Sequence, residues 1–410
     1  MQNVIILMSG SVVSQIVPFA VSPLLGRIYS PELFSVLALF LSTVNILDVF
    51  ATLKYDLAVV VAKNEEDAAG VLWLCIVINV TLSILVLAAA PLVIALFPQF
   101  VGAQSGWLYL VPLSVLFTSL FTTLSYYNLR LNRYKRITQA NIVRSVAAAG
   151  LQVGLGLLGF GAYGLMLGQA VAYLVACILL LYDARSYLPR PRLSLIHSAA
   201  MRHQKFPFFT LPGTLANTLS FNLVSYFLNG FFVPAQLGYY TLVNQVLSTP
   251  LTVISGAVGN VFLKKSADEA SASALSVKTF DAITRTLFCL SVPIFTILFL
   301  FATPILRLFL GEQWVAAGSM VRALIPMFFV RFVVTPVTTS AIVAGRQGAS
   351  MVWQFSLLVA SVLPALIQVF YRFEINQYLS LLSALFAISY ALFYLYCRRL
   401  LIKNKTPRNP

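Results

Sequence analysis

The apolar stretches of this chain hold few ionisable groups, and these are suited to handling charge rather than cleaving bonds. Arg331 has no charged neighbour from Ala323 to Val330 or from Phe332 to Gly345. A cation within a membrane span is costly and faces a bundle interior or a water-filled cavity. It serves either as an anion contact or as a tether to backbone carbonyls or a neighbouring helix. Arg27 ends the first apolar stretch, where an arginine can meet an anion or simply snorkel to the interface. Lys54 and Asp56 lie two residues apart in one stretch. On a helix they point to different faces, which argues against a pair. Lys54 is then a substrate cation or an ordinary inner-face charge. Asp48 is the one acid near the interior of a stretch, and it suits a coupling proton or a neutralising partner for an arginine.

A polar stripe is the other candidate. Thr210, Thr214, Asn217, Thr218 and Asn222 recur mostly at three- and four-residue steps, which places them near one helical face. Such a face can meet the hydroxyls of a sugar or glue two helices together. Gln15, Asn45, Asn244 and Gln245 are weaker examples of the same chemistry. No G-x-x-x-x-G-K-[ST] loop and no Ser/His/Asp grouping occurs, so neither direct use of ATP nor acyl chemistry is expected. His197 and His203 fall in a basic loop and read as solvated. The four cysteines sit in apolar stretches without metal spacing and read as small buried hydrophobes. No cofactor and no metal is expected.

The elements that must position these groups are membrane helices. Of 410 residues, 60% are hydrophobic and 10% charged, against about 25% charged in a soluble domain. No Asp, Glu, Lys or Arg occurs from Ala68 to Leu129, from Ser145 to Tyr182, or from Phe206 to Leu263. Each of these runs exceeds the ~20 residues of one bilayer crossing and fits two. The net charge of +15 comes from residues between the spans, so nucleic acid is not expected as a partner. Unbroken runs of this length exclude an outer-membrane barrel.

The expected fold is therefore an all-α polytopic membrane protein with about twelve transmembrane helices. The first six are read at 4–25, 33–61, 71–97, 107–128, 140–159 and 162–182. The second six are read at 208–230, 237–262, 284–305, 320–343, 350–371 and 376–397. With the N-terminus inside, 22 of the 27 Lys and Arg residues fall in inner segments and four (Arg27, Arg307, Arg322, Arg372) in outer ones. The positive-inside rule then places both termini in the cytoplasm.

An internal echo divides the spans six and six. Tyr29-Ser-Pro-Glu-Leu-Phe-Ser matches Phe232-Val-Pro-Ala-Gln-Leu-Gly, and Lys63-Asn-Glu-Glu-Asp-Ala matches Lys264-Lys-Ser-Ala-Asp-Glu-Ala. Parallel repeats of this kind build two-lobed transporters with the substrate between the lobes. The expected domains are an N-terminal lobe at 1–183, a basic linker at 184–207, a C-terminal lobe at 208–398 and a basic tail at 399–410.

Several segments resemble a known family. Leu25-Gly-Arg-Ile-Tyr-Ser-Pro-Glu-Leu-Phe, Ala51-Thr-Leu-Lys-Tyr-Asp-Leu-Ala and Lys63-Asn-Glu-Glu-Asp-Ala resemble the N-terminal signature of bacterial lipopolysaccharide and O-antigen flippases. Phe206-Pro-Phe-Phe-Thr-Leu-Pro-Gly, Leu237-Gly-Tyr-Tyr-Thr-Leu and Val246-Leu-Ser-Thr-Pro-Leu extend the resemblance into the second half. Ser35 stands where glycine is common in that family, and Lys54 where arginine is common. These flippases are the polysaccharide branch of the multidrug/oligosaccharidyl-lipid/polysaccharide exporter superfamily. The resemblance implies a V-shaped pair of six-helix lobes in the bacterial inner membrane. It also implies transfer of an undecaprenyl-pyrophosphate-linked oligosaccharide to the periplasmic leaflet, with membrane lipid, a polysaccharide polymerase and a chain-length regulator as partners. Arg331, Arg27, Lys54, Asn217 and Asn222 are then the expected substrate contacts and Asp48 the expected ion-coupling acid.

Three rival readings remain open. A cation-coupled multidrug exporter of the same fold predicts more acids in the N-terminal lobe. A major-facilitator carrier predicts a basic, glycine-rich loop where this chain has Lys63-Asn-Glu-Glu-Asp. A membrane polymerase needs a large outer loop.

Overall fold

The computed structural model describes residues 2–98, 105–184, 190–272, 277–343 and 346–403. Part of the basic linker (185–189) and most of the tail (404–410) lie outside the described residues. Among the described residues, twelve long helices and one short amphipathic helix are the main elements, beside a few single helical turns. They are α1 (Gln2–Ile28), α2 (Pro31–Ala51), α3 (Glu65–Leu96), α4 (Val111–Arg130), α5 (Tyr134–Leu157) and α6 (Ala162–Ala184), then the short α7 (Leu193–Arg202). After it come α8 (Leu211–Phe231), α9 (Pro234–Ala272), α10 (Val277–Leu310), α11 (Ala317–Val334), α12 (Gln347–Tyr371) and α13 (Ile375–Lys403).

Nine of the described helices are long and apolar enough to cross a membrane. The remaining long helices are α1, α8 and α9; the Thr and Asn residues of α8 dilute its hydropathy. Backbone polar groups must be satisfied within each segment in lipid, which is why the apolar runs are helical. The echo between the halves is visible locally, because α2 and α9 both open on a proline, Pro31 and Pro234. Proline suits the first helical turn, where its missing N–H has no partner to lose.

The chain divides into two compact units, Met1–Gly238 and Tyr239–Pro410. In the first, α5 packs between α1 and α6, α4 packs against α2, α3 and α6, and α2 also holds α8. The short α7 lies on α3. In the second, α11 packs between α10 and α13, and α13 carries α12 on another side.

Two spans break where the sequence reads as continuous. The span expected at 33–61 is helical only to Ala51, because Leu53 and Lys54 adopt left-handed backbone at φ 47° and 62°. Residues 55–61 then form short helical turns. The span expected at 320–343 is α-helical only to Val334 and passes into a tighter 3-10 turn at Thr335–Val337, where Pro336 has no N–H to continue the α-helical ladder. In the other direction, α5 starts at Tyr134 rather than near residue 140, following a turn with Asn132 at φ 57°.

Candidate functional site

The break after α2 places Lys54 differently from a helical face. Lys54 sits half-buried in the left-handed turn, and Thr52 donates its hydroxyl hydrogen to Asp56 Oδ1 at 3.1 Å. Asp56 is only 3% exposed, so Asp48 is not the only buried acid of this region. Asp48 lies within electrostatic reach of both Lys54 and Asp56. Its Oδ1 is buried and accepts no hydrogen bond among the described residues. The end of α2 thus gathers two acids and one lysine, close in chain and in space.

A left-handed backbone costs an L-residue about 1 kcal/mol or more. Lys54→Gly should therefore raise the thermal midpoint of the purified protein while removing the charge, whereas Lys54→Ala removes the charge without that gain. If the resemblance to polysaccharide flippases extends to Lys54 as a substrate contact, both variants lose export, although only Lys54→Gly gains stability. Export at the wild-type level in both would take Lys54 out of the site.

Arg331 is not mid-helix, because α11 ends three residues later. It occupies the last turn, where the helix dipole favours a cation, and its backbone carbonyl accepts the Thr335 N–H. Its guanidinium lies within electrostatic reach of the buried phenols of Tyr240 and Tyr390. It still lies fourteen residues from the start of α11, about 21 Å along the helix. Arg27 is exposed in the last turn of α1.

The stripe on α8 proves partly self-satisfied. Thr214 donates to the Thr210 carbonyl at 2.9 Å and Asn222 Nδ2 to the Thr218 carbonyl at 2.8 Å. Asn222 Oδ1 accepts from Asn45 on α2 at 3.1 Å, and Thr43 pairs with the Tyr226 hydroxyl at 2.5 Å. Asn222 therefore joins α2 to α8. Asn217 is half-buried and makes no hydrogen bond to the described residues, which leaves its amide available.

The basic loops do more than set orientation. Arg130 donates to the carbonyls of Val59 and Ala62 at 3.3 and 2.7 Å and reaches Glu65 at 3.4 Å. Asp67 accepts from Arg202 and from His203, both at 3.1 Å. His203 is consequently not a solvated loop residue: its side chain is 11% exposed and ties the end of α7 to α3. The Tyr55 hydroxyl adds a bond to the Ala200 carbonyl. A side chain at Gly70 would collide with the Leu195 backbone, so α3 accepts α7 only through a glycine there. In the second unit Arg398 grips Asp281 through two bonds of 2.9 Å.

Spacing concealed three of these features. Lys54 and Asp56 are placed by a turn that neither Gly nor Pro announces. His203 lies 136 residues from Asp67. Arg144 lies ten residues inside α5, and nothing in its spacing signals the two rings beside it.

These arrangements bind and hold charge. Among the described residues no cluster of three or more His, Cys, Asp or Glu could hold a metal. A family model described as "Polysaccharide biosynthesis protein" matches residues 24–319. The chain belongs to that family. A curated relative is the succinoglycan biosynthesis transport protein ExoT of Rhizobium meliloti (strain 1021). It is 26% identical over 341 residues, which cover 82% of this chain and 67% of the relative.

Among solved structures, the lipid II flippase MurJ in an inward closed conformation aligns with a TM-score of 0.74 at 14% identity. The match covers 98% of this chain and 88% of MurJ. An inward-facing multidrug resistance MATE family transporter of the MOP superfamily gives 0.71 at 14% identity, covering 96% of each chain. The fold is therefore that of MATE- and MurJ-like transporters, and the protein is a multi-pass membrane protein of the polysaccharide biosynthesis family. The relatives are transporters and flippases rather than enzymes.

Proposed function

We propose that the protein flips an undecaprenyl-pyrophosphate-linked oligosaccharide from the cytoplasmic to the periplasmic leaflet of a bacterial inner membrane by alternating access. The observation that carries this reading is the polysaccharide-biosynthesis family match across both units, residues 24–319. The MurJ-like fold supports it, because MurJ is itself a lipid II flippase. The lobes assigned are 1–183 and 208–398, joined by the basic linker 184–207 and followed by the tail 399–410. The 22-to-4 excess of Lys and Arg supports cytoplasmic termini. A polymerase and a chain-length regulator act on the product of such a step and are the proposed protein partners.

In this reading cations replace water around the pyrophosphate as it crosses the hydrocarbon. Arg331, Arg27 and Lys54 are the proposed contacts, with Asn217 meeting sugar hydroxyls. Asn222 serves the same face while holding α8 on α2. Asp48, with one buried oxygen unpartnered, is the proposed site where a proton is gained and lost.

Asp56 gives the second reading, a cation-coupled drug exporter, one point in its favour, since that function calls for more than one acid in the N-terminal lobe. Deletion of the gene in the host bacterium distinguishes the two. The flippase reading expects lipid-linked repeat units to accumulate on the inner leaflet and surface polysaccharide to disappear. Normal surface polysaccharide with increased drug sensitivity would favour the exporter.

A further inference from the structure

Arg144 belongs to none of the contacts assigned above. It lies ten residues from the start of α5 at Tyr134, about 15 Å along the helix. Its guanidinium carbon sits 4.9 Å from the centre of the Tyr173 ring on α6 and 5.8 Å from the Phe121 ring on α4. Those residues lie eleven from Ala184 and nine from Arg130, about 17 and 14 Å from the same ends of their helices. Three helices thus hold the charge about 14–17 Å in from these helix ends. The Phe121 ring belongs to a buried cluster with Leu124, Ala140, Cys177 and Leu180, and Tyr173 packs against the same cluster.

The rings satisfy only part of this group. An aromatic face attracts the cation, but the five guanidinium N–H donors lie in its own plane and need acceptors. Arg144 Nε is buried with no acceptor. No hydrogen bond or ion pair to this side chain occurs among the described residues. A membrane arginine with oriented donors and no counter-ion matches an oxyanion with two acceptor oxygens. A group that served only for packing here would need no charge.

We propose that Arg144, flanked by Phe121 and Tyr173, binds a phosphate of the polyprenyl-pyrophosphate-linked substrate within the N-terminal lobe; this rests on the flippase reading. The rings orient the guanidinium by its face and leave its edge to the phosphate oxygens. Phospholipid headgroups carry the same chemistry, so the test must separate the two.

The full-length protein in phosphatidylcholine vesicles is treated with phenylglyoxal, an arginine-specific reagent, and modification at Arg144 is mapped by mass spectrometry. Undecaprenyl pyrophosphate should lower modification of Arg144 at least about fivefold, whereas the neutral alcohol undecaprenol should leave it unchanged. Vesicles containing phosphatidylglycerol alone should not protect. Binding of undecaprenyl pyrophosphate should weaken about tenfold or more in Arg144→Gln and less in Arg144→Lys.

Protection by phosphatidylglycerol to the same extent would make the site a phospholipid site and overturn the assignment. So would an Arg144 that is never modified, or one modified equally with and without undecaprenyl pyrophosphate. If the wild-type protein binds undecaprenyl pyrophosphate and Arg144→Gln binds it equally, this inference fails and the flippase reading stands. If the wild-type protein shows no saturable binding of it, the flippase reading fails and this inference with it. Protection in the wild type decides the matter should Arg144→Gln not fold.

Discussion

Replacing Asp67 by Ala should destabilise the protein by about 2–3 kcal/mol. The carboxylate is 2% exposed and accepts from Arg202, His203 and the Lys63 backbone N–H. Its own backbone N–H is capped by the Asn64 side chain at 2.8 Å. Removing the carboxylate leaves a ring nitrogen and a backbone donor unpaired under α7. Arg202 is half exposed, so its share is screened and small, which keeps the figure below that of a fully buried pair. Arg202→Gln should accordingly change little, while His203→Ala falls between. Thermal unfolding of the detergent-solubilised variants checks the order. Equal stability of Asp67→Ala and wild type would show that α7 is not held by this cluster.

Export should fall at least tenfold in Arg331→Ala while the protein reaches the membrane in normal amount. An arginine at the centre of a span costs about 2.5–3.5 kcal/mol on insertion scales and less toward a helix end, so insertion alone gives no reason to keep it. Arg331→Lys should retain part of the activity, because a point charge still attracts phosphate without the two-pronged fork of arginine. The position in the last turn of α11 supplies the competing expectation. If the arginine chiefly neutralises the helix end, both variants lower membrane abundance before they alter transport. Measuring abundance and surface polysaccharide together for the two variants separates these outcomes, and normal values of both in Arg331→Ala would remove the residue from the site.

The helices are legible in the sequence because lipid imposes a simple rule. Long runs without charge must satisfy their own backbone, and Pro31, Pro234 and the Gly159–Gly161 turn mark where helices start or stop. Less legible is whatever depends on a backbone twist or on a partner far along the chain. Leu53 and Lys54 turn left-handed with no glycine to signal it, so a 29-residue apolar run conceals a break. The helix α5 continues backward past its apolar segment through Lys135 and Arg136, which sets the half-buried Arg144 ten residues inside the helix. Phe121 and Tyr173, which flank it, carry no local signal of that role. The stripe on α8 was visible by spacing, but its division between back-bonding to its own helix and reaching Asn45 depends on how α2 lies beside it.

Reconstitution decides whether the protein translocates a lipid-linked glycan. The purified protein is placed in liposomes carrying an undecaprenyl-pyrophosphate-linked oligosaccharide, and a glycan-modifying enzyme is added outside. Without protein, only the outer-leaflet half of the glycan is reached. With the wild-type protein, the enzyme should reach nearly all of it, and reach it more slowly with Arg331→Ala. Accessibility that stays at the protein-free half, with correctly folded protein in the same liposomes and any candidate ion gradient imposed, would show that the protein does not flip this lipid.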